Sequence, residues 1–190
     1  MAKLTLDKAK SILQRNVSEK HLLLHATAVS AAMGAMAEHF NEDKEYWEAV
    51  GYLHDVDYEK YPDEHCKHVR ELLKDESIDE ADIRAIISHG YGLCTDEYEP
   101  VTNLEKSLFT VDELTGIVMA CALMRPSGID DMELKSLKKK FKDKSFAAKC
   151  NREVIKSGFD MLQLDANLVM QCCIDGMRNY KEQLGIGAKE

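Results

Sequence analysis

The chain reads as an all-α protein, a bundle of amphipathic helices, on two observations. Only three prolines occur, at positions 62, 100 and 126. Between the turn signals, most of the sequence carries apolar residues three and four positions apart, the spacing that lines one face of a helix. A first helix is expected from Leu6 to Arg15. A second follows Ser18, whose hydroxyl suits an N-cap, with Leu22, Val29, Met33, Met36 and Phe40 as its inner stripe and His25 within that stripe. Asn41 is placed as the cap of a third helix whose Trp47, Val50 and Leu53 face inward, and which ends at the pair His54-Asp55 before the turn-like "VDYEKYPD". Pro62 and Asp63 open a fourth helix running through Lys74. The segment "SIDEADIRAIISHGYG" forms a fifth, with acidic residues in its first turn and Gly90 as its C-terminal cap. A polar loop leads to Asn103, the expected cap of a long sixth helix reaching Met124, in which Asp112 sits one turn from both Leu108 and Thr115. Beyond "RPSGIDD" come a lysine-rich helix, "MELKSLKKKFKDK", and two amphipathic segments that start near Asn151 and Asp165 and end near Gly185. One domain over 1–190 is expected, with a core at about 20–125 and a helical extension at about 130–185.

The composition narrows the function. With 34 acidic against 25 basic residues and a net charge of −9, broad electrostatic attraction to nucleic acid or to an anionic membrane is not expected, and neither is a stable nucleic-acid complex. The six cysteines show no CxxC spacing and no secretory signal precedes them. They read as reduced thiols in a cytoplasmic protein, and a cysteine-based zinc site is disfavoured. The longest apolar run, "LLLHATAVSAAMGAMA", holds a histidine, follows a helical period and falls short of a membrane span.

Aspartate is seldom fully buried unless it is paired or holds a metal, so the His54-Asp55 pair at the end of an apolar run needs partners. Collected along the chain, the inward or terminus-placed polar residues are His25, His54, Asp55, His65 or His68, His89 and Asp112, each from a different helical segment. Imidazole and carboxylate are ligands for divalent ions, and a thiol-free set suits an open, reactive site better than a closed structural one. Bundles commonly build such sites from side chains on facing helices. On a continuous fourth helix, the stripe Cys66, Val69, Leu72, Leu73 leaves His65 about 50° from its centre and His68 about 110° away, which favours His65.

His25, then "HD" at His54-Asp55, then Asp112 in "VDELTG", resembles the H...HD...D signature of the HD-domain metal-dependent phosphohydrolase superfamily. The likeness spans Leu22 to Met124. The stretches "DELTGIVMACALMRPS" and "LKSLKKKFKDKSFAA" further resemble a bacterial HD-domain hydrolase subgroup. The resemblance implies an all-helical HD-domain-like bundle that holds one or two divalent ions, with Mn or Fe favoured and Zn, Ni, Co or Mg compatible. His25, His54 and Asp112 would complete one site, His65 and His89 the second, with Asp55 shared. His54 and Asp55 would be the catalytic hub of a phosphohydrolase acting on a nucleotide or other small phosphate ester through a metal-activated water. With a single ion, Asp55, Asp112 or a nearby carboxylate such as Asp57 or Glu59 could handle protons, and Lys60, Arg125 or the lysines of "LKSLKKKFKDK" could take the substrate phosphate. An oxygen-activating di-iron enzyme and a non-catalytic regulatory module are the competing classes.

Overall fold

The apolar spacing becomes helix almost wherever it recurs. The computed structural model describes residues 3–189. Among them are ten α-helices: α1 (Leu6–Asn16), α2 (Lys20–Phe40), α3 (Lys44–Leu53), α4 (Val69–Leu73), α5 (Glu80–Ser88), α6 (Asn103–Leu123), α7 (Leu134–Lys142), α8 (Arg152–Leu162), α9 (Ala166–Asn179) and α10 (Lys181–Leu184). No strand forms among the described residues, only an isolated bridge between Tyr91 and Thr95. The all-α expectation therefore holds.

The two longest helices are the spine. Helix α2 packs against α3, α6 and α9, and α6 packs against α2, α8 and α5. These helices and α3 bury Met33, Met36, Leu53, Leu108, Leu114 and Ile117 almost completely, the kind of burial that supplies most of a helical domain's stability. Gly51 sets how closely α3 can approach α2, because a β-carbon there would lie 2.9 Å from Met33 Cγ. One set of buried apolar side chains runs from Leu4 to Ile186, so the C-terminal helices share their core with the N-terminal ones. No helix among the described residues is long and apolar enough to cross a membrane.

Several boundaries depart from expectation, each for a local reason. Ser18 does not cap α2: its N–H and hydroxyl, with the N–H of Glu19, donate to the Glu59 carboxylate at 2.8–2.9 Å, so a residue from a distant turn closes this helix start. Asn41 ends α2 instead of starting α3. It adopts a left-handed conformation (φ 57°), and Asp43 accepts the Tyr46 N–H as the cap of α3. Thr102, one residue before the expected Asn103, caps α6 in a reciprocal box with Glu105. Gly90 is not a left-handed cap, since that conformation belongs to Gly92 (φ 71°). A β-carbon on Gly90 would instead lie 2.5 Å from Cys94 Sγ and 2.7 Å from Cys66 Sγ, which is why the position carries none.

The largest correction concerns the fourth helix. Pro62–Glu64 form one 3₁₀ turn, His65 is extended (ψ 142°), and Cys66 is left-handed (φ 69°), so only Val69–Leu73 is α-helical. The helical-wheel argument for His65 therefore lacks its helix. His65 turns inward because the buried Asp57 carboxylate binds the irregular turn, accepting the His65 ring at 2.8 Å and the His68 N–H at 3.2 Å.

Candidate metal centre

Four helices and one irregular turn bring the polar residues together. His25 comes from the first half of α2, His54 is the C-cap of α3 with Asp55 next to it, His89 is the C-cap of α5, and Asp112 lies midway along α6. His65 enters from the turn bound by Asp57. Asp55 is the common neighbour. Its Oδ1 lies 3.2 Å from His54 Nε2, 3.2 Å from His65 Nε2 and 3.4 Å from His89 Nε2, while its Oδ2 lies 3.5 Å from His25 Nε2. Asp112 Oδ1 is 2.9 Å from His25 Nε2 and 3.4 Å from His54 Nε2.

The other ring nitrogens fix what these atoms can do. His54 Nδ1 faces the Gly51 carbonyl at 2.7 Å, His89 Nδ1 faces the Ile86 carbonyl, and His65 Nδ1 faces Asp57 Oδ1 at 2.8 Å. All three partners are acceptors, so each Nδ1 carries the proton and the neutral ring presents a bare lone pair at Nε2. Those lone pairs point at one another and at a carboxylate. His65 Nε2 and His89 Nε2 stand 2.9 Å apart, and His54 Nε2, fully buried, has no aligned hydrogen-bond partner. Electron pairs facing electron pairs in a buried site call for a positive charge between them. Two donors sharing an ion at about 2.1 Å stand about 3.0–3.4 Å apart, close to the separations here. The donor set therefore fits a divalent ion.

Titration reflects the same demand. Burial pushes the His54 imidazole toward neutrality, but Asp55 and Asp112 outweigh it and raise its pKa well above the usual range. Burial opposes protonation of His65 too, and hydrogen bonding to Asp55 and Asp57 lifts it to about 10. The Asp112 carboxyl is pushed up by burial and held far below the carboxylate range by His54 and His25. Without an ion, protons supply the charge that the cluster requires.

The cluster lies in a cleft of about 480 Å³ whose walls include Leu22, Tyr58, Pro62, Leu93, Glu113 and Cys150. No lysine or arginine is among the described residues lining it. Two expected contributors lie elsewhere. Lys60 is exposed and donates to Asn16 Oδ1 at 2.7 Å. Arg125 closes the turn after α6, donating to the Gly128 carbonyl at 3.2 Å and to Asp131 at 2.5 Å. His68 faces outward between Glu64 and Glu71 and stacks on Tyr61 with ring centroids 3.8 Å apart. Of the carboxylates expected to handle protons, the two nearby ones are engaged elsewhere: Asp57 fixes the His65 tautomer and Glu59 closes the start of α2. Sequence reasoning missed Glu113, the one glutamate among the described residues of the cleft wall, although it directly follows Asp112; its carboxylate also accepts the Asn151 N–H at 2.9 Å. It also missed Cys66, whose Sγ lies 3.9 Å from His89 Nε2 inside the expected thiol-free set.

An all-helical chain with histidines and aspartates from successive helices around one carboxylate defines a class, and comparison with protein families agrees. The HD domain family model matches residues 22–116, half of the chain, and the chain belongs to the HD-domain family. Members of that family bind divalent metals and are mostly metal-dependent hydrolases. The match spans α2 through the middle of α6, the part that supplies all six clustered residues. No curated protein and no solved structure matches the chain.

Proposed function

We propose that the chain is a metal-dependent phosphohydrolase acting on small phosphate esters. The observation that carries this reading is the convergence of Nε2 lone pairs on Asp55, with each opposing Nδ1 tied to an acceptor. His25, His54, Asp55 and Asp112 would hold one ion, and His65 and His89 a second that shares Asp55. When bound, such ions supply an activated water and offset charge on a phosphoryl group. The chain's own residues do the positioning: Gly51, Ile86 and Asp57 hold three imidazoles in one tautomer, and hydrogen bonds of this kind to the far nitrogen of a histidine orient it as a metal ligand. Glu113 would accept a hydrogen bond from a substrate hydroxyl at the cleft wall.

The walls refine the substrate class. Leu22, Tyr58, Pro62 and Leu93 offer apolar and aromatic surface, and the lining holds no fixed cation among the described residues. A single phosphoryl group on an apolar or aromatic body suits this cleft better than a triphosphate, which would need basic side chains along its length. The test is a phosphoester panel presented to protein stripped of metal and reloaded with Mn or Fe. Phosphate release from monoesters is expected. Oxygen uptake by the iron-loaded protein with no phosphate release from any ester would replace this reading with an oxidative one.

Proton linkage gives a second expectation. Because the folded protein holds His65 protonated up to about pH 10 and raises His54 as well, an entering ion displaces protons near neutral pH, and its affinity increases with pH. Calorimetric titration in buffers of different ionisation enthalpy should show proton release. The stability that His65 lends the metal-free protein is complete below its unfolded pKa near 6.5 and is lost as pH rises through about 10. Denaturation of the metal-free protein across that window checks the sign.

A further inference from the structure

We infer that Cys66 is a further protein donor, beside His65, His89 and the shared Asp55, to the second ion, giving that site a preference for sulfur-binding ions such as Zn, Fe or Co over Mg or Mn. The inference rests on the metal-centre reading above and adds to it a ligand of different chemical class. The donor atoms of His65, Cys66 and His89 all lie within 4.8 Å of one another. Cys66 Sγ is 3.9 Å from His89 Nε2. A sulfur and a nitrogen on one ion, with bonds of about 2.3 and 2.1 Å, stand about 3.1–3.6 Å apart. A shift of a few tenths of an ångström therefore brings the sulfur to a shared-ion separation from His89.

The two nitrogens are already aimed. The Nδ1 atoms of His65 and His89 face Asp57 and the Ile86 carbonyl, which leaves their Nε2 lone pairs, 2.9 Å apart, directed at the region that the sulfur borders. Consecutive residues 65 and 66 both reach His89 because the chain passes from extended at His65 to left-handed at Cys66. Glycine would adopt that conformation freely, yet this position carries a thiol that is 1% exposed. On coordination the Cys66 thiol releases its proton to solvent, and its sulfur lone pair forms the bond to the ion. Cys94 is the neighbouring thiol against which to compare it. Its Sγ lies 3.7 Å from the Gly90 carbonyl and belongs to the cleft wall.

The test adds cobalt(II) to the metal-free full chain and records absorption. The expected spectrum has visible bands from cobalt on nitrogen and oxygen donors, and a near-ultraviolet sulfur-to-cobalt charge-transfer band. Cys66→Ser and Cys66→Gly, the latter suited to the left-handed backbone, should both lose the near-ultraviolet band, keep the visible ones, and bind the second ion at least about tenfold more weakly. Cys94→Ser should keep both sets of bands. Visible bands without the sulfur band in the wild-type protein overturn this inference alone and leave the metal centre standing. A sulfur band that disappears with Cys94→Ser and survives in both Cys66 variants also overturns it. No cobalt bands of any kind would remove both the inference and the reading on which it rests.

Discussion

Asp55→Asn should abolish tight metal binding and with it nearly all activity. The carboxylate of Asp55 lies within 3.5 Å of the Nε2 atoms of four imidazoles, those of His25, His54, His65 and His89, so no other side chain in the cluster touches as many potential ligands. Asparagine keeps the size and removes the charge and one acceptor oxygen. Loss of an outer-shell partner alone weakens metal sites by about 10- to 100-fold, and a shared first ligand should cost at least the upper figure. Hydrolysis should fall by about 10³-fold or more, equivalent to about 4 kcal/mol of transition-state stabilisation. Thermal stability gives a readout independent of turnover. An ion at a hundredfold excess over its Kd adds about 2.7 kcal/mol to the wild-type protein, which for a chain of this size raises Tm by about 5–10 °C. That metal-induced shift should be nearly absent from Asp55→Asn in a melting experiment. An undiminished shift would mean that the ion binds elsewhere.

Arg152→Ala should be strongly destabilising, although the residue lies away from the centre. The guanidinium is nearly buried, and it donates to six backbone carbonyls: Phe141 at 3.3 Å, Ala147 at 2.7 Å, Cys150 at 3.2 Å, Lys140 at 3.4 Å, Asp143 at 3.1 Å, and Phe146. Several of these are the carbonyls that the end of α7 leaves without intrahelical partners, where a positive charge also meets the negative end of the helix dipole. Alanine removes all of these bonds at once and opens a cavity under the loop between α7 and α8. With bonds to charged groups each worth about 1.5–3 kcal/mol and water recovering part of the loss at this loop, a net cost of about 3 kcal/mol is expected in chemical denaturation. Arg152→Lys should recover little, because three donors on a point charge cannot reproduce the planar fork. Metal binding below the melting temperature should survive in both variants, since none of the clustered residues lies on α7 or α8. A variant as stable as the wild type would show that this clamp contributes nothing.

These two residues mark what the sequence made legible and what it did not. His25, His54, Asp55 and Asp112 sit on or at the ends of strongly periodic helices, where position on the apolar stripe reports which way a side chain points. Their convergence could therefore be anticipated, and so could the all-helical fold. His65 was expected inward for a reason that does not hold. Residues 62–68 look helical in composition, but the break depends on the Asp57 carboxylate binding the turn and on a left-handed Cys66, neither of which leaves a periodic trace. The caps at Ser18 and Asn41 failed for a related reason: Glu59 closes α2 from 40 residues away, and Asp43 starts α3 after Asn41 has ended α2. Arg125 stood out as a basic residue at a turn, but its bonds to Gly128 and Asp131 are satisfied within the same loop. Arg152 shows the opposite case, because an arginine that serves carbonyl oxygens needs no acidic partner for a sequence pattern to reveal.

The central claim is that the lone pairs gathered around Asp55 hold a divalent ion. Anomalous diffraction from crystals grown with manganese or iron, recorded at the absorption edge of the added ion, tests it most directly. A peak beside the Asp55 carboxylate is expected, ligated by His54 Nε2 and Asp112, with any second peak on the His65 and His89 side of the same carboxylate. Density showing His54 Nε2 and Asp55 without an ion between them, at metal concentrations that saturate the protein in solution, would contradict the account.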